Sequence, residues 1–159
     1  MLYHVTDWDA AYANTVHIPG GEGFPDRWAA AAADFRARHP PEDAGAGHLY
    51  LPDVAPKGLM VFIHGGYWMA CAPGDFSHLA AGALARGWAV LMPGYDKAPA
   101  ARIAQITAQV AGQIAAAAGR IAGPVALTGH SVGGHLAARM ICPGVLPDAV
   151  LARVRACVP

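Results

Sequence analysis

Gly129-His130-Ser131-Val132-Gly133 has the form G-x-S-x-G, and its serine is one of only two in the chain, the other being Ser77. A serine hydroxyl at such a turn can attack a carbonyl carbon when a strand precedes it and a helix follows. The apolar run Pro124-Val125-Ala126-Leu127 and the helix-like stretch His135 to Ile141 supply that context. Glycines on both sides avoid the clashes a Cβ would make in so tight a turn and tolerate strained backbone angles. The helix start offers unpaired N–H groups to developing negative charge. The plainer reading of Ser131 is a helix N-cap between two packing glycines.

A second signal stands upstream. His64-Gly65-Gly66-Tyr67-Trp68 ends the apolar run Leu59 to Ile63. Two successive glycines let the backbone turn and aim its N–H groups at an incoming oxygen, fixed before charge develops. The two motifs together are far more specific than either alone.

A serine also needs a base to take its proton, and that base needs an acid to orient it. Residues 132–159 contain one histidine, His135, and one acidic side chain, Asp148, expected in a surface loop. His64 precedes the glycines, His130 points away on the tight turn, and His135 would have to reach back over a helical turn. None is well placed to serve. The eight histidines lack H-E-x-x-H or comparable spacing, so no metal site is expected. Gly20-Gly21-Glu22-Gly23 follows no strand and no G-K-[ST] occurs, so no phosphate loop and no cofactor are expected. Cys71 lacks a turn context and reads as an ordinary buried or loop thiol.

The elements that must position these residues follow from periodicity. Asp26 is the expected N-cap of a helix over Arg27 to Arg38, with Trp28, Ala31, Ala32 and Phe35 on one face and Pro40-Pro41 as its stop. Before it, residues 1 to 25 carry Tyr3, Trp8, Tyr12 and Phe24 without strict periodicity. After a loop through Gly45 and Gly47, His48 to Leu51 predicts a short strand. Leu59 to Ile63 and Trp88 to Met92 are continuous apolar runs, as expected of strands buried on both faces. Helical spacing covers Phe76 to Arg86 and about Ala101 to Ala118, and Val154 to Val158 reads as a further strand. Strands alternating with helices from Leu59 onward predict an α/β protein with a doubly wound, mostly parallel sheet. His64-Gly65-Gly66, Pro93-Gly94-Tyr95 and Gly129-His130-Ser131 would then share the rim at the strands' carboxyl ends.

Composition narrows the partners. With 55% hydrophobic and 14% charged residues, 159 residues can build a sizeable core. Eleven acidic and eleven basic residues cancel, with no basic cluster, which argues against nucleic acid and an anionic membrane as partners. The N-terminus has no secretory pattern, and the alanine-rich stretch carrying Gln105, Gln109 and Gln113 reads as a helix that does not span a membrane. Three cysteines without C-x-x-C spacing predict a reducing, cytoplasmic setting. A homodimer is left open.

HGGYW, DFSHLA, PGYDKAPAARI and GHSVGGHLAARM together resemble the α/β-hydrolases of the HGG-type esterase branch, and within it the kynurenine formamidases (arylformamidases). WDAAYAN and the Arg27–Arg38 helix are similar to that group too. The resemblance implies Ser131 as nucleophile, with the amides of Val132, Gly66 and Tyr67 as oxyanion donors, Gly65 permitting the bend and His64 holding that loop. It places Trp68, Tyr67 and Phe76 in an aromatic pocket wall, against which ordinary core packing is the alternative, above all for Phe76. The implied substrate is a small-molecule acyl compound, a small aryl formamide such as N-formylkynurenine, with short acyl esters as the rival. In this family the acid and then the histidine follow later strands. Residues 1–159 therefore read as one incomplete α/β-hydrolase domain, with 1–47 an N-terminal helical and loop segment and 48–159 the sheet core. Its acid and base are expected beyond residue 159, so this stretch alone is expected to be inactive. A non-catalytic, hydrolase-like fragment is the reading of another class.

Overall fold

The computed structural model of the protein describes residues 4–13 and 15–159; Tyr3, and the last residue of WDAAYAN, lie outside the described residues. Six strands form one sheet in the order β1-β2-β4-β3-β5-β6, where β1 is Glu42–Ala44, β2 Gly47–Tyr50, β3 Leu59–Ile63, β4 Ala89–Met92, β5 Val125–Gly129 and β6 Val154–Val158. Strands β4, β3, β5 and β6 run parallel, while β1 and β2 join as an antiparallel hairpin at the β4 edge.

Side chains alternate across this sheet because the strand period is two. Leu59, Val61 and Ile63 of β3 join Leu91, Val125 and Leu127 in the larger core, against Ile106, Val110 and Ile114 of α4 (Ile103–Arg120) and Leu136 and Met140 of α5 (Val132–Met140). Val90 and Met92 face the other way and meet Tyr50, Ala80 and Phe35 of α2 (Phe24–Arg38). The expectation of burial on both faces holds for β4 but not for β3, where Met60 and Phe62 stay half-buried. At the far edge, Ala156 and Val158 of β6 are exposed.

Three helix starts differ from expectation, one of them that of α5, which begins at Val132, directly after Ser131, and not at His135. Asp26 is not an N-cap: α2 begins at Phe24 with Gly23 in the cap position and Pro25 in its first turn. Proline fits there because its missing N–H is one the helix leaves unpaired anyway. Of the predicted face, Ala32 and Phe35 are buried, while Trp28 is 43% exposed and Ala31 is exposed. Between β3 and β4 the chain forms a 3-10 helix over Pro73–Ala80 and only then a short α3 (Ala81–Leu84), not one continuous helix. Near the N-terminus a five-residue α1 (Trp8–Tyr12) is capped by Asp7, whose side chain accepts from the Ala10 amide.

Ser77 of the 3-10 helix is completely buried. Its hydroxyl donates to the Gly74 carbonyl at 2.9 Å and accepts from Tyr50 Oη at 2.7 Å. Arg36 of α2 donates to the same carbonyl and to Ser77 Oγ. This network fastens α2 and the 3-10 helix together and so fixes Phe76. After α5, Asp148 lies in the first turn of α6 (Asp148–Leu151), exposed, rather than in a loop. The Arg153 guanidinium then ties three carbonyls, those of Ala118, Ile121 and Gly123, at and beyond the end of α4, where a cation also complements the helix dipole. Among the described residues no helix is long and apolar enough to cross a membrane.

Candidate active site

Ser131 sits between β5 and α5 with φ 56° and ψ −119°, a backbone state that L-residues rarely adopt. Such a conformation costs on the order of 1–3 kcal/mol and persists only where the surroundings over-determine it. Here they do. A Cβ on Gly129 would lie 2.2 Å from the Gly133 carbonyl carbon, and one on Gly133 would lie 2.0 Å from the Ile63 carbonyl oxygen. The helix thus starts directly against β3 and β5. Ser131 occupies the N-cap position of α5 but makes no side-chain cap hydrogen bond, and it is exposed. The two serines are opposites in environment: Ser77 is buried and bonded, Ser131 open and unengaged.

The chain leaving β3 turns sharply at the same place. Gly66 has φ 110°, and Tyr67 and Trp68 follow at 53° and 58°. Met69 and Ala70 both donate their amides to the Gly66 carbonyl at 2.8 Å, closing the turn. A Cβ on Gly65 would meet the His130 carbonyl oxygen at 2.8 Å and Ser131 Cβ at 3.2 Å, so the turn lies against the serine. Among the described residues, no hydrogen bond uses the N–H of Gly66, Tyr67 or Val132. Unpaired amides near an exposed hydroxyl are available to an anionic oxygen.

The match to a family model settles the kinship. Residues 60–158 match the alpha/beta hydrolase family. This chain belongs to that family. The α/β-hydrolase is similar to kynurenine formamidases from Salmo salar and Danio rerio, at 31% and 32% identity over 97 residues, or 58% of this chain and 33% of each relative. It is also similar to the solved structure of a thioesterase-like hydrolase from Silicibacter sp. tm1040, with 49% identity and a TM-score of 0.87 over 94% of this chain and 61% of that one. Lactobacillus rhamnosis esterase B shares the fold, at 22% identity and a TM-score of 0.58 over 84% of this chain and 53% of its own. The matched stretch thus spans about a third of the curated relatives and about three-fifths of the thioesterase-like structure.

The remaining candidate residues of the α/β-hydrolase divide by environment. Tyr67 is 60% exposed on the rim. Trp68 is half-buried against the main core and meets the His135 ring edge-on at 5.6 Å. Phe76 is buried and lines an open, mostly apolar hollow of about 370 Å³ with Trp28, Phe62, Leu79 and His130. The structure therefore brings Ser131, Gly65, Gly66 and Val132 together, with the hollow opening beside His130.

The sequence leaves Tyr95 on the rim with no role, while the family resemblance makes His64 a residue that holds the glycine loop. The His64 ring is buried and stacks on Tyr95 at 4.4 Å with 10° between planes. Its Nδ1–H donates to the Gly65 carbonyl at 2.8 Å, and Tyr95 Oη donates to the His64 carbonyl at 3.1 Å. Nε2 is buried without a partner, as a neutral ring's lone pair can be. Burial holds the His64 imidazole below its ordinary value. Burial, with the nearby Cys71 sulfur, pushes the Tyr95 hydroxyl up to about 12, so it remains a donor.

Among the described residues, no histidine pairs with a carboxylate and none hydrogen-bonds Ser131. His130 and His135 are both exposed. Cys71, Cys142 and Cys157 are free, and no cluster of three or more ligating side chains is arranged for a metal among the described residues.

Proposed function

We propose that this chain carries the nucleophile and oxyanion side of a serine acyl hydrolase acting on a small aryl formamide of the N-formylkynurenine kind. The observation that carries the reading is Ser131 itself: exposed, uncapped and held at a left-handed apex against the Gly65–Gly66 turn. Its hydroxyl oxygen would bond to the formyl carbon while the carbonyl electron pair moves onto oxygen, received by the amides of Gly66, Tyr67 and Val132. Collapse would expel the aryl amine with a proton and leave a formyl ester on Ser131, which water would hydrolyse to formate. The kynurenine formamidase relatives support the substrate class, and the hollow lined by Trp28 and Phe76 suits an aromatic ring.

The base that takes the Ser131 proton is not among the described histidines, so the 159-residue chain by itself is expected to turn over slowly or not at all. Labelling with a fluorophosphonate tests the nucleophile: adduct on Ser131 supports the reading, and adduct elsewhere sinks it. A second reading, hydrolysis of short esters or thioesters by the same serine, is favoured by the 49%-identical thioesterase-like hydrolase. Turnover of N-formylkynurenine against a p-nitrophenyl ester and an acyl thioester at matched concentration separates the two. A clear preference for either ester would remove the formamide assignment.

A further inference from the structure

We propose that Tyr95 is a positioning residue for the oxyanion amides, acting through His64 on the Gly65–Gly66 peptide. The inference rests on reading Gly66 as an oxyanion donor, and the geometry behind it is a two-step clamp. Tyr95 Oη donates to the His64 carbonyl at 3.1 Å, and its ring lies flat on the imidazole at 4.4 Å. The imidazole in turn donates Nδ1–H to the Gly65 carbonyl at 2.8 Å. Two consecutive carbonyls, of residues 64 and 65, are therefore held by buried donors.

The peptide bond is planar and trans, so the N–H of a residue points opposite to the carbonyl before it. Holding the Gly65 carbonyl fixes the direction of the Gly66 N–H, which has no partner of its own among the described residues. Gly66, at φ 110°, lacks the side-chain restraint that would set this angle locally. The restraint is supplied instead from the chain just past β4, by the Tyr95 side chain. Phe76, nearly parallel to the imidazole at 6.2 Å, backs the ring from a second element.

The clamp predicts how a single oxygen matters. Tyr95→Phe keeps the stack and removes the hydroxyl. The expected result is about a tenfold fall in the maximal rate of Ser131 phosphonylation by a fluorophosphonate, with the half-saturating concentration within about twofold. In NMR spectra of the 159-residue chain, the Gly66 amide cross-peak should move in the variant. The wild-type His64 ring should show its proton on Nδ1. An unchanged phosphonylation rate, a fall carried wholly by weaker binding, or a ring proton on Nε2 would overturn the proposal. Label on another residue in place of Ser131 would sink the hydrolase reading, whereas no label at all is what a serine without its base gives, and the Gly66 and His64 resonances then decide the clamp.

Discussion

Gly65 and Ser131 lie so close that a Cβ added to Gly65 would come within 3.2 Å of Ser131 Cβ, and nearer still to the His130 carbonyl. The approach joins the ends of β3 and β5, whose residues Ile63 and Gly129 are paired in register. Neighbouring parallel strands place their carboxyl ends together, so both turns arise where the sheet stops.

Gly65→Ala is the direct test of that contact. The methyl group meets the His130 carbonyl oxygen at 2.8 Å and Nδ1 at 2.9 Å, so the turn or the serine must shift. Overpacking of this kind costs about 1–3 kcal/mol of stability. Displacing an oxyanion donor costs about a hundredfold or more in rate. Thermal unfolding and fluorophosphonate labelling should both register the change, the labelling far more strongly. A variant that labels as fast as the parent would mean the two turns do not act on one substrate atom.

The two serines should give opposite phenotypes. Ser131→Ala removes an exposed hydroxyl with no hydrogen bond to lose, so stability should hold while labelling disappears. Ser77→Ala strips a partner from Tyr50 and Arg36 in a buried network. Leaving such groups unpaired costs about 1–3 kcal/mol, seen as a lower unfolding midpoint in urea with labelling intact. Equal loss of labelling in both variants would argue against Ser131 as the reactive group.

Glycines can be sorted by the same geometry. Gly133→Ala drives a methyl to 2.0 Å from the Ile63 carbonyl oxygen and should be strongly destabilising. Gly112, inside α4, has nothing within 4 Å of its added Cβ. Alanine there gains helix propensity and should stabilise by about 0.5–1 kcal/mol. Denaturant titration of both variants checks the contrast; a neutral Gly133→Ala would show that α5 does not start tightly against β3.

Much of this arrangement was legible in the sequence because burial writes it there. Leu59–Ile63 coincides with β3, since a parallel strand inside the sheet shows as an apolar run, and Val154–Val158 coincides with β6 although Arg155, Ala156 and Val158 are exposed at the sheet's edge. The G-x-S-x-G and HGG spacings were readable because close backbone approach demands glycine at those points. Glu42–Ala44 was not readable: Glu42 and Asp43 carry no strand pattern, and the segment is extended only because it pairs with β2. Asp26 misled because Pro25 lets the helix begin earlier. Tyr95 escaped notice for a different reason. Its partner His64 is 31 residues away, and no local rule connects a stacked ring to the peptide it steadies.

Acid should weaken the fold through its histidines. Burial holds His64 below the usual 6.5, with Lys97 lowering it further and the Gly65 hydrogen bond and Asp75 acting against that. Burial also lowers His48 and His78. The unfolded chain accepts protons near 6.5 while the folded one refuses them until lower pH. Stability from these groups is therefore complete above 6.5 and declines as pH falls toward the depressed folded-state values. Unfolding free energies from urea titration should be larger at about pH 7.5 than at about pH 5.5, and His64→Gln, which cannot take a proton, should shrink the difference. A difference that survives undiminished in His64→Gln would place the proton uptake elsewhere and remove the case that the ring under Tyr95 stays neutral.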